Sequence, residues 1–99
     1  MPLRHLVLLK FKPAVSVEQQ LVLCAAFAAL AGQIDAVQHL EWGINNSPEG
    51  LAKGFTHCFN LQFADEAARA QYLPHPAHQA FVKILQPALD DELVLDYTV

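Results

Sequence analysis

Apolar and polar positions alternate loosely from residue 3 to residue 11. His5, Val7, Leu9 and Phe11 share one face, and Leu6, Leu8 and Lys10 share the other. This predicts a first strand with apolar groups on both faces, as a strand covered on both sides requires. Lys12-Pro13 ends it. Ser16 followed three residues later by Gln19 is a capping box and opens a helix running to about Gln33. Val17, Leu21, Cys24, Ala28 and Ala31 form its apolar stripe, with Leu23, Phe27 and Leu30 beside it. Gly32 is the residue type expected to close it.

A second strand is predicted over residues 37–45, followed by the loop Asn46-Ser47-Pro48-Glu49-Gly50. Residues 54–63 show the clearest period of two. Phe55, His57, Phe59, Leu61 and Phe63 point one way, and Thr56, Cys58, Asn60 and Gln62 the other. Asp65 caps a short Ala-rich helix that ends near Tyr72. Leu73-Pro74-His75-Pro76 breaks it, because proline disfavours helix in the preceding residue. Pro76 suits the first position of another helix, to about Leu85. Asp90-Asp91-Glu92 reads as a solvated turn, and Leu93 to Thr98 as the last strand. The order β-α-β-β-α-β predicts an α+β, ferredoxin-like fold, with helices on one face of a four-stranded antiparallel sheet. The other face needs cover, and a second copy of the chain is the simplest source. A homodimer is therefore expected.

Length and composition narrow the classes. The chain has 99 residues, which is one domain's worth (residues 1–99). It is 54% hydrophobic and only 16% charged, too apolar for a disordered chain. Its net charge is −4 and its Lys and Arg residues are scattered, so no nucleic-acid or anionic-membrane surface is expected. The longest uncharged apolar run, Leu21 to Ala31, is shorter than the roughly 17–25 residues of a membrane span. No signal peptide is apparent, and a cytoplasmic location is expected. Cys24 and Cys58 have no zinc or CxxC spacing and read as buried small hydrophobes.

Five histidines offer the candidate chemistry. His5 and His57 lie on apolar strand faces. His75 precedes the third helix, and His78 is its third residue. A helix N-terminus carries about +0.5 of a charge, which favours neutral imidazole, the form that acts as a base. A tyrosine hydroxyl, here Tyr72, can donate to a carbonyl oxygen that is developing negative charge. Together they suit proton removal beside a carbonyl. The bland alternative is a set of core histidines bonded to backbone or to each other, with Tyr72 covering the helix junction. His75-x-x-His78 has a metal pair's spacing but no third ligand, so no metal is expected. Trp42 reads as a core or interface anchor.

The segments His5 to Lys12, Gly54-Phe55-Thr56-His57, Tyr72-Leu73-Pro74-His75-Pro76-Ala77-His78 with Phe81, and Val94-Leu95-Asp96-Tyr97 resemble the stress-responsive A/B barrel (Dabb) family in family order. The resemblance implies a dimeric α/β barrel made by packing two open sheet faces together. It also extends to polyketide cyclase activity within the family, a cofactor-free intramolecular aldol condensation. His78 would then be the working histidine and Tyr72 the working tyrosine, with His5 and His57 in the pocket. The apolar slot of such an enzyme matches Leu23, Phe27 and Phe59, with Phe81 nearby, and the bulk of Phe59 is expected to restrict it. The ligand implied is small, aromatic or polyketide-like. Two other readings stand beside this one: a non-enzymatic stress-associated oligomer, and, by fold analogy alone, a cofactor-free monooxygenase.

Overall fold

The computed structural model describes Met1–Val99. The alternation of the first segment becomes strand β1, Leu3–Phe11, whose residues alternate between buried and half-buried. Helix α1, Val17–Gln33, starts at a complete capping box: the Ser16 hydroxyl accepts from the Gln19 N–H and the Gln19 side chain accepts from the Ser16 N–H. Strands β2, His39–Ile44, and β3, His57–Phe63, follow. Then come α2, Glu66–Tyr72, and α3, Pro76–Leu85. A single 3₁₀ turn, Gln86–Ala88, leads into β4, Leu89–Thr98. The sheet order is β2-β3-β1-β4 with every pairing antiparallel. The architecture is therefore ferredoxin-like, as expected.

The core lies between the inner sheet face and the helices. Leu3, Val7, Leu9, Phe59, Leu61 and Phe63 meet Cys24, Phe27 and Leu30 of α1 and Phe81 and Leu85 of α3 in one cluster. Register fixes who shares a face. His5 pairs with Leu61 and Asp96, Val7 with Phe59 and Val94, and Leu9 with His57 and Glu92. The helical layer stops short of β4, because Val94, an inner-face residue, is 49% exposed. The outer face carries Leu6 beside Leu95, Leu8 beside Leu93 and Arg4 beside Tyr97. Leu95 and Tyr97 are 58% and 51% exposed, so an apolar band lies open there.

Several local expectations are corrected. Gly32 does not end α1. The helix runs on to Gln33, and Ile34, extended and buried, stops it while its N–H still bonds the Leu30 carbonyl. Burying Ile34 and Val37 in the turn that follows delays β2 until His39. Strand β3 begins at His57, because residues 52–55 are drawn into a turn closed by the Phe55 N–H on the Ala52 carbonyl, at 3.0 Å. Asp90, Asp91 and Glu92 belong to β4 itself. Pairing with the end of β1, Lys10 opposite Asp91 and Leu9 opposite Glu92, overrides their turn-like composition. Val17 and Leu21 are exposed, Ala28 and Ala31 are half-buried, and the buried residues of α1 are Cys24 from the stripe with Phe27 and Leu30 beside it. Cys24 is buried as expected, and burial pushes its thiol up to about 11. Cys58 is exposed on the single chain, because it points from β3 to the outer face.

Candidate functional site

The break between α2 and α3 builds the candidate site. Asp65 Oδ1 caps α2 by accepting from the Ala68 N–H, at 2.9 Å. Seven residues later the helix ends at Tyr72, and His75 becomes the N-cap of α3, its Nδ1 accepting from the Ala77 N–H at 3.0 Å. Pro76 fills the first helical position, where its missing N–H costs nothing. His78 then stands on the first turn of α3. Its Nδ1 lies 2.9 Å from the Leu73 carbonyl, which also accepts from the Gln79 side chain. A carbonyl only accepts, so His78 Nδ1 carries the hydrogen and neutral His78 keeps its lone pair on Nε2. The ring sits 4.4 Å, centroid to centroid, from Tyr72.

Tyr72 is 1% exposed and also touches Phe63 at 5.2 Å and His5 at 6.0 Å. None of the chain's side-chain hydrogen bonds involves its hydroxyl. Burial raises the phenol pKa and keeps it a donor. His5, on β1, is held through Nδ1, which donates to Asp96 Oδ1 on β4 at 2.7 Å. Arg69 Nη1 of α2 donates to the other oxygen, Oδ2, at 2.8 Å. Three elements thus meet in an Arg69–Asp96–His5 chain beside Tyr72. Asp96 and Arg69 were not among the candidates read from the sequence. The available signal was the phase of β4, which puts Asp96 on the inner face opposite His5.

His57 lies elsewhere. Its register partner on β1 is Leu9, four residues from His5, or roughly 13 Å along a strand. Its Nδ1 is 2.7 Å from the Thr56 hydroxyl, and its ring packs against Phe11 at 5.1 Å and Trp42 at 6.1 Å. Desolvation lowers its pKa below the ordinary histidine value. His5 and His57 are not bonded to each other. Phe59, with no exposed surface, stacks on Phe27 at 4.0 Å and on Trp42 at 5.3 Å, and Phe27 meets Phe81 at 4.9 Å. Leu23 lines a groove between α1 and α3 of about 520 Å³, together with Val22, Ile84 and Pro87. The structure therefore gathers His5, Tyr72 and His78, stacks Phe27, Phe59 and Phe81 as one block, and sets His57 and Leu23 apart. His75 and His78 each spend Nδ1 on a local hydrogen bond, and no three His, Cys, Asp or Glu side chains group as a metal site would. No helix is long and apolar enough to cross a membrane.

Comparison with known proteins places this geometry. The chain is 38% identical to the stress-response A/B barrel domain-containing protein HS1 of Arabidopsis thaliana, over 97% of this chain and 88% of that one. It is 28% identical to olivetolic acid cyclase of Cannabis sativa, over 99% of this chain and 97% of the enzyme. Among solved structures, the hydroxynitrile lyase of Passiflora edulis superposes with a TM-score of 0.93 at 27% identity, covering 99% of this chain and 93% of the lyase. A protein from Jannaschia, described as dimeric and ferredoxin-like, superposes with a TM-score of 0.87 at 26% identity over 100% of both chains. The family model of the stress responsive A/B barrel domain matches residues 3–99, and the chain belongs to that family.

Proposed function

We propose that this chain is a homodimeric, cofactor-free acid–base catalyst that removes a proton beside a carbonyl of a small aromatic or polyketide-like substrate. The observation that carries the reading is the tautomer of His78: Nδ1 is spent on Leu73, and Nε2 is left as the base 4.4 Å, ring to ring, from Tyr72. His78 Nε2 takes the proton from the carbon. The C–H electron pair becomes the carbon–carbon double bond of an enolate, the carbonyl π pair moves onto oxygen, and the Tyr72 hydroxyl donates to that oxygen. In a condensation the enolate carbon then attacks a second carbonyl, and His78 returns the proton to the new alkoxide. In a lyase reaction the same pair runs the bond formation in reverse: His78 Nε2 takes the hydroxyl proton, the carbon–carbon bond breaks as the carbonyl forms, and the proton goes to the carbon that leaves. Two similar proteins, one named a cyclase and one a lyase, support this class of chemistry.

The dimer rests on the exposed band of Leu93, Leu95 and Tyr97 on the outer sheet face and on a similar protein described as dimeric. Light scattering after gel filtration should give twice the chain mass at micromolar concentration, and a monomer mass would overturn it. The chemistry is tested by deuterium exchange in a panel of small aryl ketones and β-keto acids in D₂O. The protein should accelerate exchange at the carbon beside the carbonyl, and His78→Gln should lose roughly 10²–10⁴-fold of that acceleration. Exchange no faster than in buffer, or a His78→Gln variant equal to the parent, defeats the reading. Failure would favour the stress-associated structural oligomer. One observation supports that second reading: Phe27 and Phe59, stacked on each other, occupy positions that match an apolar substrate slot.

A further inference from the structure

At the end of the sheet away from Tyr72, β1 finishes at Phe11, Lys12 follows and α1 begins beyond it, and a cavity of about 440 Å³ lies there. That volume is in the range of small-molecule sites, roughly 300–1,000 Å³. Its lining includes the apolar side chains of Val17 and Leu21 on α1 and Ile44 at the end of β2. These three are exposed, at 69%, 52% and 61%, so this apolar surface belongs to the cavity and not to the core. Lys10 and Lys12 also line it. Neither takes part in any of the chain's three ion pairs, and Asp90 is the one acid in the lining.

Lys10 runs along the turn that precedes β3. Its side chain lies against Gly54, where a Cβ would come within 3.0 Å of the lysine Cε and 3.3 Å of Nζ. Gly54 also has a φ of +87°, which an L side chain rarely adopts. The turn before β3 thus keeps a bare Cα where the ammonium arm passes. His57 also lines the cavity, with Nδ1 already engaged by Thr56. The Phe59 stack stands between this end and the His78–Tyr72 end.

We propose that this cavity is a second binding site, separate from the His78–Tyr72 site, for a free carboxylic acid with an apolar tail. Lys10 and Lys12 hold the carboxylate, and Val17, Leu21 and Ile44 receive the tail. Two flexible ammonium groups without bound carboxylates attract an anion but supply no planar fork, and the apolar wall selects against small hydrophilic anions such as inorganic phosphate. The chain is acidic overall, at −4, so the preference arises locally from these two cations.

The test is a titration of the ¹⁵N-labelled protein with octanoate, followed by amide shifts, with acetate and 1-octanol as parallel arms. Octanoate should shift the amides of Val17, Leu21, Ile44 and Thr56 saturably and leave those of Tyr72 and His78 still. Acetate lacks the tail and octanol lacks the charge, so each should bind roughly tenfold more weakly or worse. The double variant K10Q/K12Q should lose roughly tenfold in octanoate affinity. Lys12 is exposed, so Lys12→Gln alone retains the fold and should show part of the same loss if the double variant is unstable. The proposal is overturned by an absence of saturable shifts, by shifts centred on Tyr72 and His78, by octanol binding as tightly as octanoate, or by unchanged affinity in the lysine variants. None of these readouts depends on the exchange reaction, so this site can fail while the acid–base reading stands, and the reverse.

Discussion

His5 and His57 stand on the same face of the same sheet, one on β1 and one on the neighbouring β3, and both are 6% exposed. Their surroundings differ in kind. His5 lies next to the edge strand β4, whose Asp96 reaches its Nδ1 while Arg69 steadies the carboxylate from α2. Tyr72, with His78 beyond it, completes that end. His57 lies among Phe11 and Trp42 and has only the neighbouring Thr56 hydroxyl as a side-chain partner. Equal burial therefore gives one histidine an ionic partner and leaves the other to desolvation. The difference comes from which strand lies alongside and from where the helical layer stops.

Phe59 is the partition between the two ends, and removing it should have the largest effect. Phe59→Ala should cost about 3–5 kcal/mol, as usual for a fully buried phenylalanine. Denaturant unfolding at one fixed protein concentration measures it, since dimer stability depends on concentration. A loss under about 1 kcal/mol would mean that the stack with Phe27 and Trp42 contributes little. The milder Phe59→Val, at about 1–3 kcal/mol, should open space toward Tyr72. Octanoate should then shift amides at both ends, and aliphatic-tailed phenolic acids should bind better than to the parent. Equal binding of long-tailed ligands by the parent would show that Phe59 does not fill the slot.

Much of the scaffold for this comparison was legible in the sequence, and the reasons are local. The Ser16–Gln19 box, the alternation of β3 and the Asp65 and Pro76 helix starts each depend on residues within a few positions of one another. The pairing of His5 with Asp96 spans 91 positions and is set by strand register, which periodicity alone does not supply. The same long-range pairing drew Asp91 and Glu92 into β4 against their composition, with Asp90 the unpaired residue where the register shifts. Gly32 misled because glycine permits a helix end without requiring one, and the burial of Ile34 decided the matter.

Asp96→Ala should have the next largest effect, and it acts on one end only. It leaves His5 Nδ1 and the Arg69 guanidinium without their partner. A half-buried charged acceptor lost in this way costs about 1–3 kcal/mol. Nitrogen NMR of His5 should show the ring tautomer losing its Nδ1–H preference, while the His57 signals stay in place. An unchanged His5 spectrum would show that Asp96 does not orient the ring. Tyr72→Phe should move stability by less, within about 1 kcal/mol, because none of the chain's side-chain hydrogen bonds involves its hydroxyl. The exchange reaction should nevertheless fall roughly a hundredfold, as for the loss of an oxyanion donor. Retained activity would leave Tyr72 with a packing role only.

The smallest effect is a pH slope belonging to the other end. Desolvation lowers the pKa of His57 in the folded chain below its ordinary value of 6.5. Between the folded and unfolded pKa values, the unfolded state binds more protons than the folded one. Stability therefore rises with pH through that window, and His57 makes the protein less stable as pH falls below about 6.5. Above it both states hold a neutral ring and the contribution is level. Glutamine at this position keeps a side chain able to bond Thr56 but does not titrate. Denaturation midpoints of the parent and His57→Gln, measured from pH 8 down to pH 5, should run parallel in the upper half and diverge below pH 6.5, the parent falling faster. Parallel curves throughout, or a parent that gains on the variant as pH drops, would mean that His57 is as readily protonated in the fold as out of it. The two histidines would then differ by the Asp96 carboxylate alone and not by desolvation.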